Sequence, residues 1–181
     1  MKLSSQGRIE GVPFLASPNA DERPEGEGIR LLVVHGISLP PRAFGGDGVL
    51  RLFRNALDGA EHPELLPVAH LRVSAHFLVR RGGEILQFVE CRRRAWHAGA
   101  SHWRDREGCN DFSIGVELEG ADDVEYTEAQ YRALGELAEV LAAAYPIEAV
   151  VGHSDVAPGR KTDPGPAFDW NRARVFLPRL G

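Results

Sequence analysis

His35 closes one apolar run, Leu31-Leu32-Val33-Val34, and His153 closes another, Ala149-Val150-Val151-Gly152. Both histidines therefore stand where a strand would hand the chain over to a loop. Ten residues after His153 comes Asp163, inside the Pro/Gly-rich stretch from Pro158 to Pro166. Rigid loops that spring from strand ends are common mounts for sites, because the sheet fixes where the loop begins. Two imidazoles and one carboxylate make a three-ligand zinc set with a fourth position left for water, and zinc in such a setting brings the pKa of water to about 7. A plainer reading exists. The chain carries 7 histidines and 26 acidic residues, so a His/His/Asp trio is easily assembled on paper. No compact HExxH-type motif fixes the choice, and a strand-end histidine can simply bond a nearby carbonyl.

To bring such residues together the chain needs a sheet, and its patterning supplies one. Ile29 to Val34 is a continuous apolar run, the mark of a central strand covered on both faces. Val49, Leu50, Phe53 and Leu57 recur at helical spacing. Ser74 to Val79 and Glu84 to Val89 flank Arg80-Arg81-Gly82-Gly83 and predict a β-hairpin. Phe112 to Leu118 predicts a strand with Glu117 and Glu119 on one face and Val116 and Leu118 on the other. Thr127 reads as an N-cap completed by Gln130, followed by a helix whose Tyr131, Leu134, Ala138, Leu141 and Tyr145 share a face until Pro146 ends it. Ile147 to Val151 predicts a short last strand, and Trp170 to Leu177 a closing helix. This order predicts an α/β fold, a mixed central β-sheet flanked by helices. A length of 181 residues fits a single domain spanning 1–181, with the acidic, Pro/Gly-rich segment 21–28 as an exposed loop within it.

Composition narrows the partners. A net charge of −5 argues against a generic nucleic-acid binder, whose phosphate contacts need a basic surface. No run of about 18 apolar residues predicts a membrane span, and no N-terminal apolar stretch resembles an export signal, so a cytoplasmic protein is expected. Cys91 and Cys109 form no CxxC pair. They read as free thiols of a reducing compartment, with a single disulfide as the alternative.

Five motifs taken together give a family resemblance: VVHGISLPP (33–41), SAHFLVRRGGEILQFV (74–89), RAWHAGAS (94–101), CNDFSIGVELEG (109–120) and GHSDVAPGRKTDPGPAFDW (152–170). In that order they resemble the N-acetylmuramoyl-L-alanine amidases, and within these the cytosolic type that acts on 1,6-anhydro muropeptides. The resemblance runs from about Ile9 to the C-terminus. It implies one zinc per chain held by His35, His153 and Asp163. It also implies Glu117 as the general acid/base and Lys161 as the group that stabilises the oxyanion. From the residues alone, Glu119 on the same strand face is an equal candidate for the acid/base role. One departure stands out: the position after the first histidine, often asparagine in such relatives, is Gly36, which is not itself a ligand position but changes the contacts around the ligands.

The substrate of such enzymes carries carboxylates, which arginine's planar fork grips well. The resemblance points to Arg72 and Arg106 for that task, and to Trp96, His97 and Asn110 as further cleft residues. Each has a structural reading too, as an exposed arginine, a packed tryptophan or a satisfied histidine. Phe77 and Phe88 are assigned to the core, while His62, His70, His76 and His102 receive no role. The resemblance implies a muropeptide partner and a monomer. Two other functions fit less well: a secreted wall-lytic amidase, which would need an export signal, and a muropeptide-binding module, which would usually lack a metal ligand. An amidase of this fold acting on another amide stays open, since substrate choice sits in loops.

Overall fold

In the computed structural model residues 1–178 are described; the last three residues of the expected domain, 179–181, lie outside the described residues. The first half of the chain forms β1 (Ala20–Glu22), β2 (Leu31–Ile37), α1 (Gly48–Phe53), β3 (Phe77–Val79), β4 (Ile85–Gln87) and β5 (Arg93–Ala95). Then follow β6 (His102–Trp103), β7 (Arg106–Glu107), β8 (Ser113–Glu119), α2 (Glu128–Ala144), β9 (Ala149–Gly152), α3 (His153–Val156) and α4 (Trp170–Phe176). The central sheet has five strands in the order β4-β3-β8-β2-β9. Strands β3, β8, β2 and β9 run parallel, and β4 is added antiparallel through the Arg80–Gly83 turn. This is the mixed, helix-flanked α/β sheet that the patterning predicts.

Alternation decides what each face meets. Leu32 and Val34 of β2 and Ile114, Val116 and Leu118 of β8 pack under Tyr131, Leu134 and Leu141 of α2. Across the sheet, Leu31 and Val33 meet Val156 of α3, while Val49, Leu52 and Phe53 of α1 cover Leu78 and Phe88. On β8 this leaves Ser113, Gly115, Glu117 and Glu119 pointing away from α2, yet every residue of the strand is buried. That row is polar by design of the pattern, and it faces the site.

The N-terminus of α2 carries the expected capping box: the Thr127 hydroxyl accepts from the Gln130 amide at 3.2 Å, and the Gln130 side chain accepts from the Thr127 amide at 3.1 Å. Replacing Thr127 by Ala is expected to cost about 1 kcal/mol, read as a lowered urea midpoint at unchanged slope. An unchanged midpoint would mean the helix does not need its cap.

Three expectations are corrected. Helix α1 stops at Phe53 because Asn55 adopts a left-handed φ of 58°, so Leu57 joins the same cluster from beyond the helix. The first hairpin strand begins at Phe77 rather than Ser74, since the Ser74 backbone amide donates to the Trp96 carbonyl at 3.1 Å, outside the central sheet. Segment 21–28 is not simply an exposed loop. Its first residues belong to β1, which pairs antiparallel with β5, and Arg23 is sunk beneath it. The Arg23 guanidinium donates to the carbonyls of Asn110, Asp111, Cys91 and Ser113 at 2.8–3.1 Å, and burial lowers its pKa to about 10. Cys91 and Cys109 are both free and buried, and burial pushes the Cys91 thiol up to about 12, which makes it inert.

Candidate active site

The site follows from strand register. His35 of β2 lies directly beside Glu117 of β8, and Val34 lies beside Gly152, the last residue of β9. His153 thus enters at the level of His35 from the other side. Three neighbouring parallel strands deliver these residues at their C-terminal ends, where open α/β sheets place their ligands. Asp163 returns to the same point on the loop after α3. Its loop is held by the Asp163 carbonyl, which accepts from the Ser154 amide at 2.9 Å, and by the Tyr126 hydroxyl, which donates to the Pro164 carbonyl at 2.9 Å. Gly36 belongs to this arrangement: a Cβ there would sit 2.3 Å from the Tyr126 oxygen.

His35 Nδ1, His153 Nδ1 and Asp163 Oδ2 form a near-equilateral triangle with edges of 2.9, 3.0 and 3.3 Å. Ligand atoms bound to zinc at about 2.0–2.1 Å in tetrahedral directions stand about 3.3 Å apart, so the donor set and its spacing fit that ion. The rings are deeply buried, His35 at 1% and His153 at 3% exposure. Burial lowers the His35 pKa to about 4, keeping its imidazole neutral as a ligand must be.

Glu117 and Glu119 part company here. The Glu117 Oε1 lies 4.0 Å from His35 Nδ1, and its Oε2 is buried with no partner among the described residues. Burial first, then the nearby Asp163 charge, pushes the Glu117 carboxyl well above the usual range. Such a group, aimed into a cleft and short of one partner, is poised for proton transfer. Glu119 is fully engaged instead: it accepts from Arg80 at 2.9 Å and from the amides of Gly45 and Arg81 at 2.7 and 3.2 Å. It fastens the 42–47 loop to the hairpin and has no oxygen to spare. Glu119→Gln is therefore expected to keep turnover while losing about 1–3 kcal/mol of stability, measured by peptide release and by denaturant melts on one preparation. A collapse of turnover with the melt unchanged would return the acid/base role to Glu119.

The cleft over these residues has a volume of about 230 Å³ and is floored by His35, His97, Glu117 and Asp163, with Lys161 exposed at its edge. Leu39, Leu52, Val68, Leu71 and Val73 make one wall apolar. Arg72 is exposed between two of these wall residues; among the described residues its guanidinium has only long contacts of 3.4–3.5 Å to the carbonyls of Leu71 and His70.

Three of the other residues named from the resemblance, Arg106, Trp96 and Asn110, fall elsewhere. Arg106 pairs with Glu27, stacks over Phe112 and lines a hollow of about 290 Å³ with Arg30, Leu31 and Glu148. Those residues begin strands that end at the site, so Arg106 is at the far end of the sheet. Trp96 does not line the cleft: its indole N–H donates to Asp21 at 3.2 Å. Asn110 uses its side-chain oxygen to accept from the amides of His97 and Ala98 at 3.1 and 2.8 Å, shaping the turn rather than meeting ligand. His97 does reach the cleft, but both ring nitrogens already have partners. Sequence reasoning overlooked Arg23, Ser113 and Tyr126. Ser113 was findable, since it shares the Glu117 face at period two; an isolated Arg23 in an acidic stretch leaves no periodic trace.

Comparison with known proteins agrees with this geometry. Residues 25–166 match the Amidase_2 family, described as N-acetylmuramoyl-L-alanine amidase. The chain is 53% identical over 177 residues to the 1,6-anhydro-N-acetylmuramyl-L-alanine amidase AmpD of Escherichia coli, covering 97% of both chains. A crystal structure of selenomethionine AmpD superposes with a TM-score of 0.95 at 50% identity, covering 98% of this chain and 100% of that one. The amidase AmiD of Escherichia coli, solved with anhydro-N-acetylmuramic acid-L-Ala-D-γ-Glu-L-Lys, gives a TM-score of 0.59 at 30% identity over 87% of this chain and 65% of its own. The chain belongs to the N-acetylmuramoyl-L-alanine amidase family, whose members hydrolyse the amide joining N-acetylmuramic acid to L-alanine.

Proposed function

We propose that this amidase works on soluble 1,6-anhydro-muramyl peptides in cell-wall recycling, with one zinc held by His35, His153 and Asp163. The observation that carries the metal reading is the triangle of three ligand atoms within 3.3 Å of one another. Support for the substrate comes from the similarity to AmpD along 97% of the chain. When bound, zinc would supply Lewis acidity toward the lactyl carbonyl and make water more acidic.

The chain's own groups supply the rest. Glu117 takes the proton of the attacking water on its carboxylate, whose Oε1 is the oxygen on the His35 side, and passes it to the departing alanine nitrogen. The Lys161 ammonium, at the cleft edge, offsets the negative charge that develops on the carbonyl oxygen. Lys161→Met is accordingly expected to keep zinc and lose about 10²–10³-fold in turnover; single-turnover rates beside metal analysis decide it, and an unchanged rate would remove Lys161 from the mechanism. Arg72, whose guanidinium meets only the carbonyls of His70 and Leu71 among the described residues, is the group we assign to a stem-peptide carboxylate, and the apolar wall suits the alanine methyl.

No described helix is long and apolar enough to cross a membrane. In this proposal the protein is a cytoplasmic monomer acting on soluble fragments. The test is mass-spectrometric digestion of an anhydro-muramyl tripeptide beside intact peptidoglycan, with and without a chelator. Chelator-sensitive release of free peptide from the soluble fragment alone is expected. Cleavage of intact wall would favour a wall-lytic amidase, and binding without cleavage a recognition module.

A further inference from the structure

The Nε2 of His35, on the side of the ring away from the triangle, lies 2.9 Å from His97 Nδ1. The other His97 nitrogen, Nε2, lies 3.1 Å from the Ser113 hydroxyl, and that hydroxyl donates to the Cys109 carbonyl at 2.5 Å. A carbonyl only accepts, so the single Ser113 proton is committed to it. Ser113 Oγ must then accept from His97, which places the His97 proton on Nε2 and leaves Nδ1 bare. A bare Nδ1 accepts from His35, which places the His35 proton on Nε2. The one remaining lone pair of His35, on Nδ1, then points at His153 and Asp163. His153 reaches the same state by a shorter route, its Nε2 donating to the Ala98 carbonyl at 3.3 Å.

From this chain of donors we infer that His97, backed by Ser113, is a positioning residue that fixes the tautomer and ring orientation of His35 so that Nδ1 is the metal-ligating atom. The inference rests on the zinc site proposed above. It uses no change of charge, only the choice between two neutral forms.

Independent observations fix His97 in that post. Its ring lies on the backbone of β8, where a Cβ on Gly115 would come within 2.5–2.7 Å of three ring atoms. The backbone amides of His97 and of Ala98 are pinned by Asn110, and the Arg23 guanidinium clamps the carbonyls of Asn110 and Ser113 from below. His97 is 9% exposed. Much of segment 97–113 thus serves to hold one imidazole against another. Ligand histidines that lose such a partner typically lose about 10–100-fold in metal affinity.

The experiment uses full-length protein with ¹⁵N-labelled histidine. Long-range proton–nitrogen spectra of the metal-free wild type report the His35 tautomer, and chelator competition reports zinc affinity. The expected results are an Nε2-protonated His35, a zinc affinity lowered about 10–100-fold in His97→Leu, and recovery to within about threefold in His97→Asn, whose amide oxygen can replace Nδ1 as acceptor. Gly115→Ala, which displaces the ring without removing it, is expected to weaken zinc as His97→Leu does. An Nδ1-protonated His35 in the wild type would overturn the inference, as would unchanged affinity in His97→Leu. Should the leucine variant fail to fold, the wild-type tautomer and the asparagine variant decide. Failure of the wild type to bind zinc would sink the metal site itself, and the tautomer, read without metal, still judges the relay.

Discussion

Asp163→Ala is expected to leave the chain without tightly bound zinc and to lower amide hydrolysis by about 10³-fold or more. The size follows from what a Lewis acid contributes, several kcal/mol of barrier, at about 1.4 kcal/mol for each factor of ten. Asp163 is the strongest single choice among the three ligands because it brings the only carboxylate of the triangle, with Oδ2 within 3.0 and 3.3 Å of the two Nδ1 atoms. The fold should survive the change. The loop that carries Asp163 is tied through backbone atoms, by the Ser154 amide to the Asp163 carbonyl and by the Tyr126 hydroxyl to the Pro164 carbonyl, and neither tie involves the carboxylate. Metal analysis after dialysis and peptide release from anhydro-muramyl tripeptide check the two halves together. One zinc retained per chain would overturn the ligand assignment, and zinc lost with activity kept would overturn metal catalysis.

What the sequence makes legible is what local periodicity encodes. The run ending at His35 and the run ending at His153 become β2 and β9, and their parallel register sets both histidines at one level beside Glu117. The Thr127/Gln130 box becomes the start of α2 as predicted. The polar side of β8 was also written in the pattern, since Glu117 and Glu119 alternate with core residues. Their different fates were not. Glu119 is consumed by Arg80 and two loop amides that approach from the hairpin and from segment 42–47, contacts that depend on where the chain returns in space. Arg106 shows the same limit more sharply: motif likeness placed it on substrate, but the turn between β7 and β8 carries it to the opposite end of the sheet. His97, Asn110 and Trp96 stand together in one motif. His97 reaches the cleft floor with both ring nitrogens engaged, while Asn110 and Trp96 are spent inward, on backbone amides and on Asp21. A motif marks residues that matter together without saying which of them faces the ligand.

Glu117 carries the second large effect, and it links function to stability with opposite signs. Glu117→Gln should retain zinc, because Glu117 is not one of the triangle's corners, and should lose about 100-fold or more in turnover as the proton acceptor disappears. In the metal-free protein the same change is expected to stabilise. Burial and the Asp163 charge raise the Glu117 pKa in the folded state, so the folded chain favours the protonated carboxyl. For a raised pKa this contribution is fully present below the ordinary Glu value of about 4.3 and is lost as pH rises toward the folded value. Glutamine mimics the neutral form at every pH. Metal-free Glu117→Gln and wild type should therefore melt alike near pH 4, and the variant should melt higher at pH 8. Thermal melts across that range, beside zinc content and single-turnover rates, test both halves. If the gap fails to open with pH, Glu117 is ionised without cost and its unpartnered oxygen must be satisfied by solvent. Near-normal turnover would instead leave proton transfer to a group outside β8. A carboxyl that weakens the empty fold and speeds the reaction is what a general base in a closed cleft should look like, because the burial that raises its pKa also brings it toward the operating pH.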